Sequence, residues 1–332
     1  MGIEAIDLGF LFTKGIIGGK RVIMKSVVGN SKKQNFFDLS MGVREADHIK
    51  SWVGTTPYFV SDLAVEQSDT VIHSLKDDRF DSEATEVLVR TAFALGLGNN
   101  HTQSHIVSGL PASHYSMYKD SIQKLFLDKI HNYEVEDHGT RIRGSVAIKG
   151  GKFIPQPFGA LLDRVLDDRG QIADKGLASK TVAVIDPGFG TSDIYVANAL
   201  NPVEKLTFST RTAMNHAYGL IATKIEEAYN ISLPLYQIEK VIATREFKKS
   251  GKTFNMAPVI DWAYKSTAQQ LVSEIINKWK AIHEIDHILI AGGGGIALSP
   301  YILKEFENIE LLNDAQWAVV SGYYKWGVRN YG

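Results

Sequence analysis

One short pattern occurs twice, about half a chain apart: Ile6-Asp-Leu-Gly-Phe10 and Ile185-Asp-Pro-Gly-Phe189, each with a threonine soon after, Thr13 and Thr191. The apolar, β-branched residues ahead of each aspartate suit a buried strand, and Gly9, Pro187, Gly188 and Gly190 call for tight turns. Each copy therefore reads as a strand that delivers one carboxylate, Asp7 or Asp186, to a turn with closely approachable backbone. Amide groups in such a turn can hold phosphate oxygens, and a strand-end aspartate can reach a Mg²⁺ bound to them, directly or through water. Thr191 and Ser192 add hydroxyl donors. A single copy is also ordinary hairpin chemistry. Duplication at this separation predicts two similar domains across a cleft, each supplying one phosphate-binding hairpin.

The chain has room for that: 332 residues make two domains of ordinary size, each with its own core. Lys+Arg 36 against Asp+Glu 37 gives a formal charge of −1, so no global field favours nucleic acid or an anionic membrane. A direct DNA-binding role is disfavoured; the densest basic cluster, Lys248-Lys249 with Lys252, reads as a solvated loop. The absence of cysteine excludes disulfides, thiol nucleophiles and cysteine-ligated zinc. An acid early in the chain, no basic leader with a long apolar region and no membrane-spanning run lead to the expectation of a cytoplasmic protein.

Taken in order, 15–28 reads as continued antiparallel strands around Gly18-Gly19. The stretch 30–75 is polar and irregular, and is expected to be a small insertion. Asp81 is placed as the cap of a helix running from Glu83 to Leu97. A strand at 105–111, a helix at 115–130 and a hairpin at 133–148 follow. Pro155-Gln-Pro introduces an apolar helix, 160–166, expected to connect the domains, so that the first spans 1–154 and the second 155–332. The second half repeats the order: strands over 181–208, a helix over 214–229, an atypical piece (the second insertion, about 215–260), a helix over 265–282 with Ile282 on its apolar stripe, and a strand at 287–291. That strand runs into Gly292-Gly-Gly-Gly295.

At these residues the chain resembles the actin-like ATPases over nearly its whole length. Asp7-x-Gly9-x-x-x-Thr13-Lys14 resembles the first phosphate loop of that superfamily, Asp186-Pro-Gly-Phe-Gly-Thr191 the second, and Ile290-Ala-Gly-Gly-Gly-Gly295 the adenosine loop. Pro155-Gln156 and 313–323 resemble its two connecting helices. The ending and the phosphate loops are most similar to the ParM/StbA plasmid-partition branch and to archaeal actin-like proteins. The fold so implied is α/β: an actin-like, ribonuclease H-like, duplicated two-domain architecture with a central nucleotide cleft.

The resemblance further implies an ATPase that uses ATP/ADP and Mg²⁺. Asp7 and Asp186 would bracket the metal, mostly through its waters. Gly9, Thr13, Lys14, Gly188, Gly190 and Thr191 would hold the phosphates, with Lys14 as a point charge. Gly292, Gly293, Gly294 and Gly295 would admit the adenosine and diphosphate, and Glu239 and Lys240 would contact ribose and purine, although an exposed Glu-Lys pair also suits a plain solvated face. Gln156 stands where the family orients the attacking water; ParM has a glutamate there. Glutamine positions water but is a poor proton acceptor, so turnover is expected to be slow. Asp193, where actins carry a histidine, is a candidate for ordering a second water. The implied role is ATP-dependent filament formation in DNA segregation, with self as the main partner and a DNA-binding adaptor as the second. A small-molecule kinase on the same fold is the alternative; it would need an acceptor base that the sequence does not offer outside the nucleotide motifs.

Overall fold

The computed structural model describes residues 1–31, 48–73, 80, 82–279 and 284–332. In Gly2–Leu8 the last five residues are buried without alternation, the signature of a strand covered on both faces. It runs antiparallel to Phe12–Ile17 and parallel to His101–Leu110. Gly18 and Gly19 then adopt φ of +56° and +73° and turn the chain into Lys20–Lys25. Two consecutive left-handed residues make a hairpin turn whose twist matches the strands, and glycine adopts that backbone without a steric cost.

The described strands of the first sheet lie in the order Lys20–Lys25, Phe12–Ile17, Gly2–Leu8, His101–Leu110, Thr140–Pro155, Ile130–Asp137, Ile49–Val53, Thr56–Val60, Val27–Asn30, Val71–His73. The expected insertion at 30–75 thus contributes the strands Ile49–Val53, Thr56–Val60 and Val71–His73 to this sheet. Its helix Asp62–Gln67 covers a small core of Val27, Phe59, Leu63 and Ala64. Helix Glu83–Leu97 packs Val87, Leu88 and Phe93 into the main core. Ser82 caps it by accepting from the Thr85 amide, while Asp81, the expected cap, lies outside the described residues. Near its other end, a Cβ on Gly96 would stand 2.4 Å from Ile17, so glycine lets the helix lie directly on the hairpin strand.

The second sheet has the same plan around Thr181–Pro187. That strand is antiparallel to Ser192–Asn198 and parallel to His287–Ile290, which is in turn parallel to Ile309–Leu311. Asn201–Pro202 and Phe208–Thr210 both pair with Ser192–Asn198. Helix Ala257–Lys278 begins well before the expected 265 because Pro258 sits in its first turn, where a missing N–H costs nothing. Ile282 lies outside the described residues. Trp279, fully buried, donates its indole N–H to the Leu206 carbonyl at 2.9 Å. The second atypical stretch holds helix Leu235–Thr244 and the hairpin Glu246–Lys249 and Lys252–Asn255 over a core of its own, including Ile225, Ile238, Val241, Phe247 and Ile260. Burying side chains of this size stabilises by about 1.5–3 kcal/mol each.

The chain divides into two compact units, one of Met1–Ala173 with Val319–Gly332 and one of Asp174–Ala318. The expected boundary at 154/155 falls inside the first unit. Helix Gln156–Val165 belongs there because the last helix, Ala318–Tyr331, returns to pack on it. A Cβ on Gly322 would stand 1.7 Å from the Gly159 carbonyl oxygen, so the two helices cross backbone on backbone. Lys325 bonds Asp163 at 2.7 Å, and Arg329 donates to the Gly170 carbonyl at 2.9 Å.

Candidate functional site

In the first unit the hairpin register decides which side chains meet. Asp7 stands directly across the ladder from Lys14, and directly opposed residues share a face. A buried carboxylate needs partners, and Asp7, 6% exposed, has two of them: the Lys14 ammonium 3.5 Å from Oδ2, and the Gln156 side-chain amide donating to Oδ1 at 2.8 Å. Gln156 opens helix Gln156–Val165, and Pro155 ahead of it holds the extended backbone that starts the helix. Three expected site residues, drawn from two strands and a helix far apart in sequence, therefore converge. With its nitrogen committed to Asp7, Gln156 has its amide oxygen with which to accept from a water.

Thr13 is one register step away, opposite Leu8, and so lies on the other face of the hairpin. It is buried. Ser26 gives its hydroxyl proton to the Gly9 carbonyl at 2.8 Å, so the Thr13 hydroxyl donates to Ser26 at 2.9 Å. Thr13 thus braces the turn from behind. Gly9 has no room for a side chain, since a Cβ would meet the Phe12 carbonyl at 2.5 Å. Ser26 and Glu4 escaped the sequence reading. Glu4 is buried on the same strand three residues before Asp7, accepting from Ser104 at 2.9 Å and from the Gly18 amide at 2.8 Å, and burial raises its pKa against those two bonds. The one available signal was an acid inside an apolar run.

In the second unit, Asp186 stands opposite Asp193 and Pro187 opposite Ser192. The turn between them, which includes Gly190, closes through the Gly188 amide onto the Thr191 carbonyl at 2.9 Å, and a Cβ on Gly188 would approach that oxygen to 2.7 Å. Thr191 donates to Asp193 at 3.2 Å, and Ser209 donates to the other Asp193 oxygen. Asp193 is buried within this set. Ser192 is turned inward, donating to the Thr212 carbonyl at 2.6 Å.

The four glycines form no irregular loop; they are the first turn of helix Gly292–Ile302. Gly292 has φ +78°, and a Cβ there would sit 2.2 Å from Asp186 Oδ1. On Gly294 it would sit 2.1 Å from the Pro187 carbonyl, and on Gly295 2.8 Å from Ile290, while Gly293 faces open space. The quartet thus lets a helix start press against the Asp186 strand end, where the positive end of the helix dipole favours a carboxylate or a phosphate.

Glu239 and Lys240 lie on helix Leu235–Thr244. Burial, then the charge of Tyr264 and Glu239, push the Tyr218 phenol up, and the Tyr218 ring meets Phe189 of the 188–191 turn edge-on at 5.3 Å. Lys240 is exposed, and its carbonyl accepts from Thr244 at 2.8 Å.

No group of three or more His, Cys, Asp or Glu side chains among the described residues converges as metal ligands. Single carboxylates beside a phosphate-binding turn fit Mg²⁺, which keeps several waters and shares its coordination with substrate phosphates. Asp7 in the first unit and Asp186 in the second are each a carboxylate of that kind.

A family model for the N-terminal domain of actin-like proteins matches residues 5–159, and one for the C-terminal domain of archaeal MreB-like actin homologues matches 184–304. The chain belongs to the actin-like proteins. The first match contains Asp7, Lys14 and Gln156 and the second Asp186 and the glycine quartet, so the actin-like halves and the two hairpins coincide. Among solved structures, this actin-like protein is similar to Ta0583, an archaeal actin homologue solved in complex with ADP: TM-score 0.80, 19% identity, covering 98% of each chain. It is similar also to the ParM of a 15-stranded filament from Clostridium botulinum: TM-score 0.81, 23% identity, 98% of this chain and 99% of that one. A third is Bacillus thuringiensis ParM with ATP: TM-score 0.70, 14% identity, 98% and 97%. At these identities the likeness establishes the two-domain actin-like α/β fold. No curated protein matches the chain.

Proposed function

We propose that this actin-like protein binds ATP and ADP with Mg²⁺, hydrolyses ATP slowly, and assembles head to tail into filaments whose stability the hydrolysis controls. The observation that carries this reading is the convergence of Lys14 and Gln156 on the buried Asp7 carboxylate. Phosphoryl transfer to water asks a protein to hold the terminal phosphate, offset its charge and orient the water. Lys14 offsets charge, Gly9 and the Gly188 turn present backbone amides, and Gln156, held by Asp7, orients the water without taking its proton. Bound Mg²⁺ would neutralise phosphate charge, with Asp7 on the first hairpin and Asp186 on the second each able to bind it through its waters. The relatives solved with ADP, with ATP and as a filament support the same reading.

The finer role we propose is DNA segregation, possible without direct DNA contact by the filament protein. A formal charge of −1 suits a filament that reaches DNA through a separate DNA-binding adaptor. No helix among the described residues is long and apolar enough to cross a membrane, which suits work in the cytoplasm.

Light scattering and pelleting with ATP, a non-hydrolysable analogue and ADP test the proposal. Sedimentation is expected with ATP and the analogue and less with ADP, with Asp186→Ala losing hydrolysis or assembly. Gln156→Ala is expected to slow hydrolysis about a hundredfold while nucleotide still binds. Phosphate transfer to a small acceptor without scattering would replace the filament reading with a kinase, and unchanged hydrolysis in Asp186→Ala would remove that residue from the mechanism.

A further inference from the structure

The second phosphate turn is held by the chain that follows it. Phe208–Thr210 pairs with Ser192–Asn198 so that Ser209 faces Asp193 and Thr210 faces Ser192. Ser209 bonds Asp193, and the Ser192 hydroxyl bonds the Thr212 carbonyl. The start of helix Met214–Tyr229 then closes on the turn, as the Met214 amide donates to the Gly188 carbonyl at 3.1 Å and the Asn215 amide to the Phe189 carbonyl at 3.0 Å. Segment 208–215 is therefore a strap along one side of the turn. Its placement decides where Gly188, Phe189 and Asp193 sit.

One side chain grips that strap from the opposite side. Glu274, on helix Ala257–Lys278, accepts from the Thr210 hydroxyl on Oε2 and from the Thr212 hydroxyl on Oε1 at 2.6 Å, with the Gln270 amide on the same oxygen at 3.3 Å. Thr210 Oγ1 also accepts from the Thr212 amide at 3.2 Å, so carboxylate, hydroxyls and strap backbone form one connected set. Burial works to raise the Glu274 pKa, but the hydrogen bonds from Thr210, Thr212 and Gln270 and the nearby His216 outweigh it, so the carboxylate stays ionised as an acceptor. Hydrogen bonds to a charged group are about twice as strong as neutral ones, which suits a clamp.

We infer that Glu274 is a positioning residue for the second phosphate turn, acting through Thr210 and Thr212 on the strap that carries Ser209 to Asp193. Its bonds from Thr210 and Thr212 reach the strap and not the turn itself. The inference rests on the proposed reading of this turn as a phosphate loop, but the clamp itself can be observed in protein without nucleotide. It separates Glu274 from a residue that merely steadies its own helix.

The test compares wild type with Glu274→Gln, Glu274→Ala, Thr210→Val/Thr212→Val and the triple variant with Glu274→Ala. Hydrogen–deuterium exchange of the nucleotide-free proteins reads the turn at 187–193, the strap at 208–215 and helix Ala257–Lys278. Glu274→Ala is expected to speed exchange in turn and strap about tenfold, leave the helix unchanged, and raise KM for Mg-ATP about tenfold with a smaller fall in kcat. Glu274→Gln, which keeps one acceptor oxygen, is expected to be milder. The triple variant is expected to be no worse than Glu274→Ala, because members of one network do not add. Unchanged exchange in the turn of both Glu274 variants, additive effects in the triple variant, or faster exchange confined to the helix would each overturn the inference. If wild type binds no nucleotide while Glu274→Ala still loosens the turn, the phosphate-loop reading fails and the clamp stands.

Discussion

The two hairpins share a sheet position and differ in charge. Each first strand lies between its antiparallel partner and a parallel strand, and each ends in an aspartate. Across the ladder, Asp7 meets Lys14, but Asp186 meets Asp193. The first hairpin therefore carries its own counter-charge and is electrostatically complete. The second sets two acids opposite each other, relieved by the hydroxyls of Thr191 and Ser209 on Asp193 and by the helix start at Gly292 beside Asp186. Duplicated backbones thus carry different charge: an acid facing a base in one hairpin, an acid facing an acid in the other.

The largest effect expected from this contrast is that of Lys14→Met. It strands a buried carboxylate, which costs about 3–5 kcal/mol, and should lower the midpoint of thermal unfolding and sharply weaken ATP binding. A Lys14→Met protein with unchanged midpoint would mean the first hairpin is not self-neutralised. Next comes Gly292→Ala, where the left-handed backbone alone costs about 1–2 kcal/mol and the new Cβ would displace Asp186. Calorimetric titration should show magnesium-dependent ATP affinity falling, with the first hairpin's exchange protection intact; loss of protection there would break the contrast.

Acid should separate two acids, the buried Glu4 of one unit and the partly buried Glu274 of the other. The Glu4 pKa is raised by burial, so the folded state holds its proton more tightly than the unfolded chain. Its contribution declines as pH rises from 4.5 through the raised value. Glu274 is depressed, so its contribution is present above the ordinary carboxylate value and fades as pH falls through the depressed one. His131, buried and depressed, also opposes acid in the first unit, so each wild-type profile has to be compared with its own variant. Glu4→Gln should gain stability relative to wild type as pH rises above 4.5, and Glu274→Gln should gain on wild type as pH falls below 4.5; unfolding midpoints between about pH 3 and 7 check both. The smallest effect is that of Asp193→Asn, which removes the like charge opposite Asp186 and should stabilise the nucleotide-free protein by about 0.2–1 kcal/mol while reducing its response to Mg²⁺.

Much of this was legible in the sequence. The repeated Ile-Asp-x-Gly-Phe unit marks both site strands, because a carboxylate at a strand end followed by glycine leaves a local trace. Asp7 could be named from the repeat and Lys14 and Gln156 from the family resemblance, and the three lie together in the structure. What stayed hidden depends on register or distant packing. Thr13 reads as a phosphate donor until the ladder turns it to the back, onto Ser26. Gly292–Gly295 read as a loop, since nothing local says that a helix starts there and that Asp186 occupies the space of the missing side chains. Glu274 looks like any polar residue on a helix, because its hydroxyl partners lie more than sixty positions away. The domain boundary was misplaced because the return of the last helix depends on two glycines, Gly159 and Gly322, that no pattern links.

That crossing has a consequence for how the chain is made. The unit of 174–318 is continuous and can fold as soon as it leaves the ribosome, whereas the unit begun by Met1 lacks Val319–Gly332 until every residue of its neighbour has been translated. Until then the slot at Gly109 that receives the Tyr323 ring, and the backbone of Gly159, stay bare. The half synthesised first is thus the one completed last, and a nascent chain can gather the hairpin of Asp7 into a finished unit only after that of Asp186 already exists.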